Sequence, residues 1–157
     1  MKANIALLAT GGTIAGAAGK GGRAAYEPAR LGIEALLEAV PQIAELAQIR
    51  GEQIVSVGSQ DISDEIWLRL ADRIKDLLGS PEVDGLVVTH GTDSLEETAY
   101  LLNLVVRSDK ALVMTAAMRP ATALSAEGPL NIFNAVAVAA DPQAGGRGVL
   151  VVVNDDI

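Results

Sequence analysis

The chain has 157 residues, with 12 Lys and Arg against 20 Asp and Glu, a formal net charge of −8, one His and no Cys. That acidity has the wrong sign for gripping phosphate backbones, and the lack of cysteine excludes disulfides, thiolate metal sites and a thiol nucleophile. A single His excludes multi-histidine metal centres, and charges interrupt every apolar run before a membrane-spanning length, so neither nucleic acid nor membrane is expected as a partner.

The N-terminal Met-Lys-Ala-Asn leads into an apolar run too short for a signal peptide. A cytoplasmic chain is expected, or a periplasmic one if this is a mature chain with a new Met. The first predicted strand is Ile5–Ala9. The stretch Ala15–Ala25 is too rich in glycine for a stable helix and reads as a mobile loop. Ile33, Leu36, Leu37 and Val40, then Ile43 and Leu46, have helical spacing, with a break near Pro41. A second strand is predicted at Gln53–Val57. Ser63–Leu78 carries one apolar stripe, with Ser63 as the cap and Gly79-Ser80-Pro81 as the stop. Gly85–Val88, Ala111–Met114 and Gly148–Val153 read as further strands, separated by helices at Ser94–Val106 and Ser125–Ala140. Short continuous apolar runs suit strands buried on both faces. The alternation predicts one α/β domain, a doubly wound, mostly parallel sheet with helices on both faces, Rossmann-like or flavodoxin-like.

Ligands of such sheets bind beyond the carboxyl ends of the strands. Those ends carry Thr10-Gly11-Gly12-Thr13, Gly58-Ser59-Gln60-Asp61 and Thr89-His90-Gly91-Thr92-Asp93-Ser94. A dinucleotide fingerprint fails because its middle glycine would fall at Thr13. A nucleoside triphosphate loop fails at Ile14 and at Gly21. What remains is a set of hydroxyls and carboxylates. Gly12 lets a substrate approach Thr13 closely, and Thr13 is a nucleophile only once a base takes its proton. Thr92 and Asp93 supply a second hydroxyl and a carboxylate, and N–H groups near Ser94 are candidates to face an oxyanion. On pattern alone the stronger reading is that these residues cap helices.

Thr10-Gly11-Gly12-Thr13-Ile14-Ala15 and His90-Gly91-Thr92-Asp93-Ser94-Leu95-Glu96-Glu97-Thr98-Ala99 resemble the two signatures of the bacterial-type L-asparaginase family. Gly51-Glu52-Gln53, Gly58-Ser59-Gln60-Asp61, Ala117-Met118-Arg119-Pro120 and Ser125-Ala126-Glu127-Gly128-Pro129 resemble its intermediate segments. The similarity is closest to the type II branch, which includes glutaminase-asparaginases. It implies an amidohydrolase that converts L-asparagine, and in some members L-glutamine, to the acid and ammonia through an acyl-enzyme. Thr13 would be the nucleophile, with Tyr26 bonded to it from a mobile lid. Thr92 and Asp93 would form the relay. Ser59, Gln60 and Asp93 would hold the substrate's α-carboxylate and ammonium, and the backbone near Ala117 would line the side-chain end. The resemblance implies no cofactor or metal, a small-molecule substrate and a homo-oligomer.

The same resemblance calls for a relay lysine shortly after the fifth strand and for a smaller C-terminal domain. Lys2, Lys20, Lys75 and Lys110 match no such position. Residues 1–157 therefore read as the N-terminal domain of a truncated enzyme that keeps the nucleophile and cradle. The competing expectations are a non-catalytic domain that binds aspartate or asparagine or serves in assembly, and part of an ammonia-delivering amidotransferase. His90 is expected to be structural, Arg119 to brace the sheet edge or an interface, and Asp155 and Asp156 to be solvated.

Overall fold

The computed structural model describes residues 2–18 and 26–157. Its main sheet has five parallel strands, β1 (Ala3–Gly11), β4 (Ala47–Val57), β5 (Gly85–Thr89), β6 (Ala111–Thr115) and β7 (Val149–Val151), in the order β4-β1-β5-β6-β7. The two remaining short strands, β2 (Ala17–Ala18) and β3 (Tyr26–Glu27), form an antiparallel ribbon. The helices are α1 (Ile33–Glu38), α2 (Ile43–Leu46), α3 (Asp64–Gly79), α4 (Leu95–Val105) and α5 (Gly128–Ala139). The predicted doubly wound α/β architecture is present.

Alternate residues of each central strand serve opposite cores, as the pleat requires. Ile5, Leu7 and Ala9 of β1, with Val87 and Val113, pack against Ile33, Leu36, Ile43, Ile132 and Val136 from α1, α2 and α5. Ala6 and Leu8, with Leu86, Val88 and Met114, pack against Leu70, Ile74, Leu77 and Leu102 from α3 and α4. The chain moves from β1 to β4 over the first face, then to β5 and β6 over the second, so these connections share one hand. The step from β6 to β7 continues in the second direction but carries α5 over the first face. Its hand is therefore opposite, and because parallel crossovers are overwhelmingly right-handed, the β6–α5–β7 connection is the left-handed one.

Three predicted boundaries shift for physical reasons. β4 starts at Ala47, not Gln53, because its first half lies at the sheet edge, where Gln48 and Glu52 keep contact with solvent and hide the strand signal. Gly51 sits within it because a Cβ there would meet Ile33 Cγ1 of α1 at 2.7 Å. α5 starts at Gly128, with Pro129 in its first turn, so 125–127 belong to the loop. Ala17–Ala18, read as loop, pairs with Tyr26–Glu27. The rest of the glycine-rich stretch, residues 19–25 with Lys20, lies outside the described residues.

Candidate active site

The reversal of strand order falls between β1 and β5, and the loops after β1, β4 and β5 converge there, where a doubly wound sheet binds ligands. Backbone meets backbone at this point. Gly11 and Gly12 have φ of 106° and 75°, and Gly12 N–H donates to Val57 O at 2.8 Å. A Cβ on Gly12 would collide with the Gly91 backbone, and one on Gly91 would meet Ser59 Oγ at 2.5 Å. Three glycine-dependent contacts thus draw three strand ends together. Thr13 opens a 3-10 turn, Thr13–Ala15, and keeps 8% of its surface exposed.

Around it lies a cleft of about 240 Å3 lined by Gly12, Thr13, Pro28, Gly58, Ser59, Gln60 and Asp93. Five of these were expected from the sequence. Ser59 is buried, and its Oγ accepts the Asp93 N–H at 2.9 Å, while Ser94 Oγ donates to Ser59 O at 2.8 Å. The capping reading therefore fails at Ser94, whose side chain ties two loops together. Ser63 is a true side-chain cap, accepting from Ile66 N. The Asp93 N–H, just before the helix-start N–H groups that were candidates to face an oxyanion, is spent on Ser59. Gln60 is exposed and its Nε2 donates to Asp61 Oδ2 at 3.1 Å. Thr92 is half-buried beside Asp93 and, like Ala117, is not among the residues lining the cleft.

A strap over residues 26–31 is bound to the nucleophile loop. Ala29 N–H donates to Gly12 O at 3.0 Å, Leu31 N–H to Ala15 O at 2.9 Å, and Ser56 Oγ–H to Ala29 O at 2.7 Å. Ala29 adopts φ 58°, uncommon for a residue with a Cβ. Pro28, which the sequence reading missed, is carried into the cleft wall by this strap. The Tyr26 backbone pairs with Ala18. The expected contact of its side chain with Thr13 lies outside the described residues.

After β6, Ala117 is buried, and a Cβ on Gly128 would lie 3.8 Å from its own Cβ. Glu127 clamps the loop that follows, accepting from Met118 N at 2.6 Å, Arg119 N at 3.1 Å and Arg119 Nε at 2.7 Å. Burial pushes its carboxyl up, but the Arg119 bond and the backbone N–H groups outweigh this and leave it below the ordinary carboxylate value. Arg119, expected to brace the sheet edge or an interface, instead braces this loop through Glu127. Asp155 and Asp156 are exposed, with Asp155 accepting from Asn134 Nδ2.

His90 is fully buried, and burial pushes its imidazole below the ordinary value. The described lysines are engaged elsewhere. Lys2 Nζ donates to Ala44 O, Lys110 Nζ to Ser80 O, and Lys75 pairs with Asp72. Asp93 is the one titratable group among the described residues that line the cleft. No group of three or more His, Asp or Glu able to hold a metal occurs among the described residues.

Residues 4–157 match the family described as asparaginase, N-terminal. The chain belongs to the asparaginase family. It is 57% identical over 155 residues to L-asparaginase 2 of Bacillus subtilis (strain 168), covering 98% of this chain and 41% of that protein. It is 52% identical over 156 residues to a glutaminase-asparaginase of Pseudomonas fluorescens biotype A, covering 99% and 43%. The structure of a probable cytoplasmic L-asparaginase from Campylobacter jejuni superposes with a TM-score of 0.93 at 50% identity, covering 98% of this chain and 47% of that one. The chain thus spans less than half the length of the curated relatives it matches.

Proposed function

We propose that this chain forms the nucleophile-bearing half of an amidohydrolase that converts L-asparagine to L-aspartate and ammonia, with L-glutamine as a second substrate. The observation that carries the reading is the convergence of Thr13, Ser59, Gln60 and Asp93 on one cleft at the strand-order reversal. Thr13 Oγ attacks the side-chain amide carbon and gives up its proton. The C–N bond breaks, ammonia leaves with a proton, and the acyl-threonine ester is opened by water to release aspartate and restore Thr13.

Ser59 spends a lone pair on the Asp93 N–H, which leaves its O–H to donate to the substrate's α-carboxylate. The exposed Asp93 carboxylate pairs with the substrate ammonium, Gln60 adds amide contacts, and Thr92 relays the proton beside Asp93. Gly12 permits the approach to Thr13. The family resemblance assigns Tyr26 to assist Thr13, and the Ala117 backbone borders the reacting end of the substrate. No cofactor enters this scheme. We place the reaction in the cytoplasm, or in the periplasm for a mature exported chain. Like copies are expected to assemble through faces such as that exposing Met118 and Leu124.

Ammonia release from L-asparagine by the purified protein tests the reading, with calorimetric titration of L-aspartate alongside. Turnover lost in Thr13→Ala supports it, and turnover that survives that change overturns the nucleophile assignment. Aspartate binding without ammonia release supports the second reading, a binding module. That reading is favoured by the positions of Lys2, Lys75 and Lys110, each engaged away from the cleft.

A further inference from the structure

His90 leaves β5 directly, is fully buried, and is not among the residues lining the cleft. Its ring has two partners. Nδ1 lies 2.8 Å from the Gly91 carbonyl oxygen, and Nε2 lies 3.0 Å from Thr98 Oγ1. Thr98 Oγ1 also receives the Trp67 Nε1–H at 2.8 Å. Every proton in this series can be assigned. A carbonyl only accepts, so Nδ1 carries the proton. Burial keeps the imidazole neutral, so Nε2 is an acceptor. The Thr98 hydroxyl then donates to Nε2, and its lone pair takes the indole N–H, which can only donate.

The series runs from α3, which carries Trp67, through α4, which carries Thr98, to the backbone oxygen of Gly91, two residues before the cleft-lining Asp93. Its end point matters. Gly91 is the residue on which Gly12 and Ser59 close, and the peptide that bears its carbonyl leads into Thr92.

We propose that Thr98 and Trp67 are positioning residues: through His90 they hold the Gly91 carbonyl and so set the direction in which Thr92 and Asp93 leave the sheet. The ligand arm of the test rests on the asparagine reading above. The spectroscopic arm does not.

The protein has one His and one Trp, so a single imidazole and a single indole resonance report on the series without ambiguity. In the native protein the imidazole is expected as the Nδ1–H tautomer, with a slowly exchanging indole N–H. Thr98→Val keeps the shape and removes the hydroxyl. It is expected to move the Gly91, Thr92 and Asp93 amide resonances, to speed indole exchange at least about tenfold, and to weaken L-aspartate binding about tenfold, the scale of one lost hydrogen bond. Thr98→Ser is expected to restore affinity to within about twofold of the native protein. Trp67→Phe is expected to move the same three amides by less.

A folded Thr98→Val protein with unmoved Gly91–Asp93 amides and native aspartate affinity overturns the proposal. So does a Thr98→Ser protein as impaired as Thr98→Val. If Thr98→Val does not fold, unmoved amides in Trp67→Phe overturn it instead. If the native protein binds no aspartate, the asparagine reading fails, and the amide shifts decide the positioning role by themselves.

Discussion

At the amino ends of the strands the sheet opens a hollow of about 600 Å3, bordered by Lys2, Asn4, Asp84 and Asp141. At the carboxyl ends the cleft beside Thr13 measures about 240 Å3. The larger space is the poorer site. Its polar groups serve the frame: Asp84 Oδ2 accepts the Asn4 N–H at 2.8 Å, Asp141 caps Gln143 N–H, and Lys2 Nζ bonds Ala44 O. At the other end, glycine contacts tie the backbones together, and the exposed Asp93 carboxylate lines the cleft, where the proposed substrate would meet it. The location of chemistry follows from which groups the fold has left unspent, more than from volume.

That contrast can be broken most sharply at Thr13. Thr13→Ala is expected to cut ammonia release from L-asparagine at least about a thousandfold, while Asp84→Asn at the opposite end keeps it within about twofold. Equal losses from the two changes would dissolve the distinction between the ends. Next in size is Gly12→Ala, which combines a collision with the Gly91 backbone and a positive φ. It should lower unfolding free energy in urea by about 3 kcal/mol or more. Gly79→Ala, with nothing within 4 Å of the added Cβ, should move it by less than about 0.5 kcal/mol. Asp84→Ala removes the acceptor of the Asn4 N–H and is expected to cost about 1 kcal/mol, with ligand affinity unchanged.

The gentlest test is pH. His90 is held neutral in the fold, whereas the unfolded chain takes up a proton near its ordinary value of about 6.5. Its contribution is therefore complete above that value and is lost as pH falls below it, because the unfolded state then binds more protons. Glu52, lowered first by its hydrogen bond to Arg73, and Glu127 act in the same direction at lower pH. Their contribution is complete above the ordinary carboxylate value and is lost as pH falls from there through their lowered folded values. Thermal unfolding midpoints should decline in two stages on acidification from neutrality. In His90→Gln the first stage should disappear while the second remains.

Much of this was legible in the sequence where local chemistry and tertiary demand agree. α3 announced itself because Ser63 is a real cap, the apolar stripe is regular and Gly79 ends the helix. Ser59 and Asp93 could be placed at one site because both follow strands of a parallel sheet. The first half of β4 was hidden because an edge strand alternates with solvent and loses the continuous apolar signature. Pro28 entered the cleft wall through a strap whose bonds to Gly12, Ala15 and Ser56 leave no local trace. Thr98 and Trp67 read as ordinary helix residues, because a hydrogen bond between residues 31 positions apart has no sequence period.

The sequence by itself determined the layer architecture, the strand ends that carry hydroxyls and carboxylates, and the absence of thiol chemistry, since these follow from pattern and composition. Only the tertiary structure decided that α5 crosses to the opposite face with a left-handed connection, that Ser59 spends a lone pair on Asp93 N–H, and that His90 closes a series from Trp67 to Gly91. Handedness and hydrogen-bond partners depend on which surfaces pack together in three dimensions. Strand and helix periods are fixed by the covalent spacing of side chains along the chain.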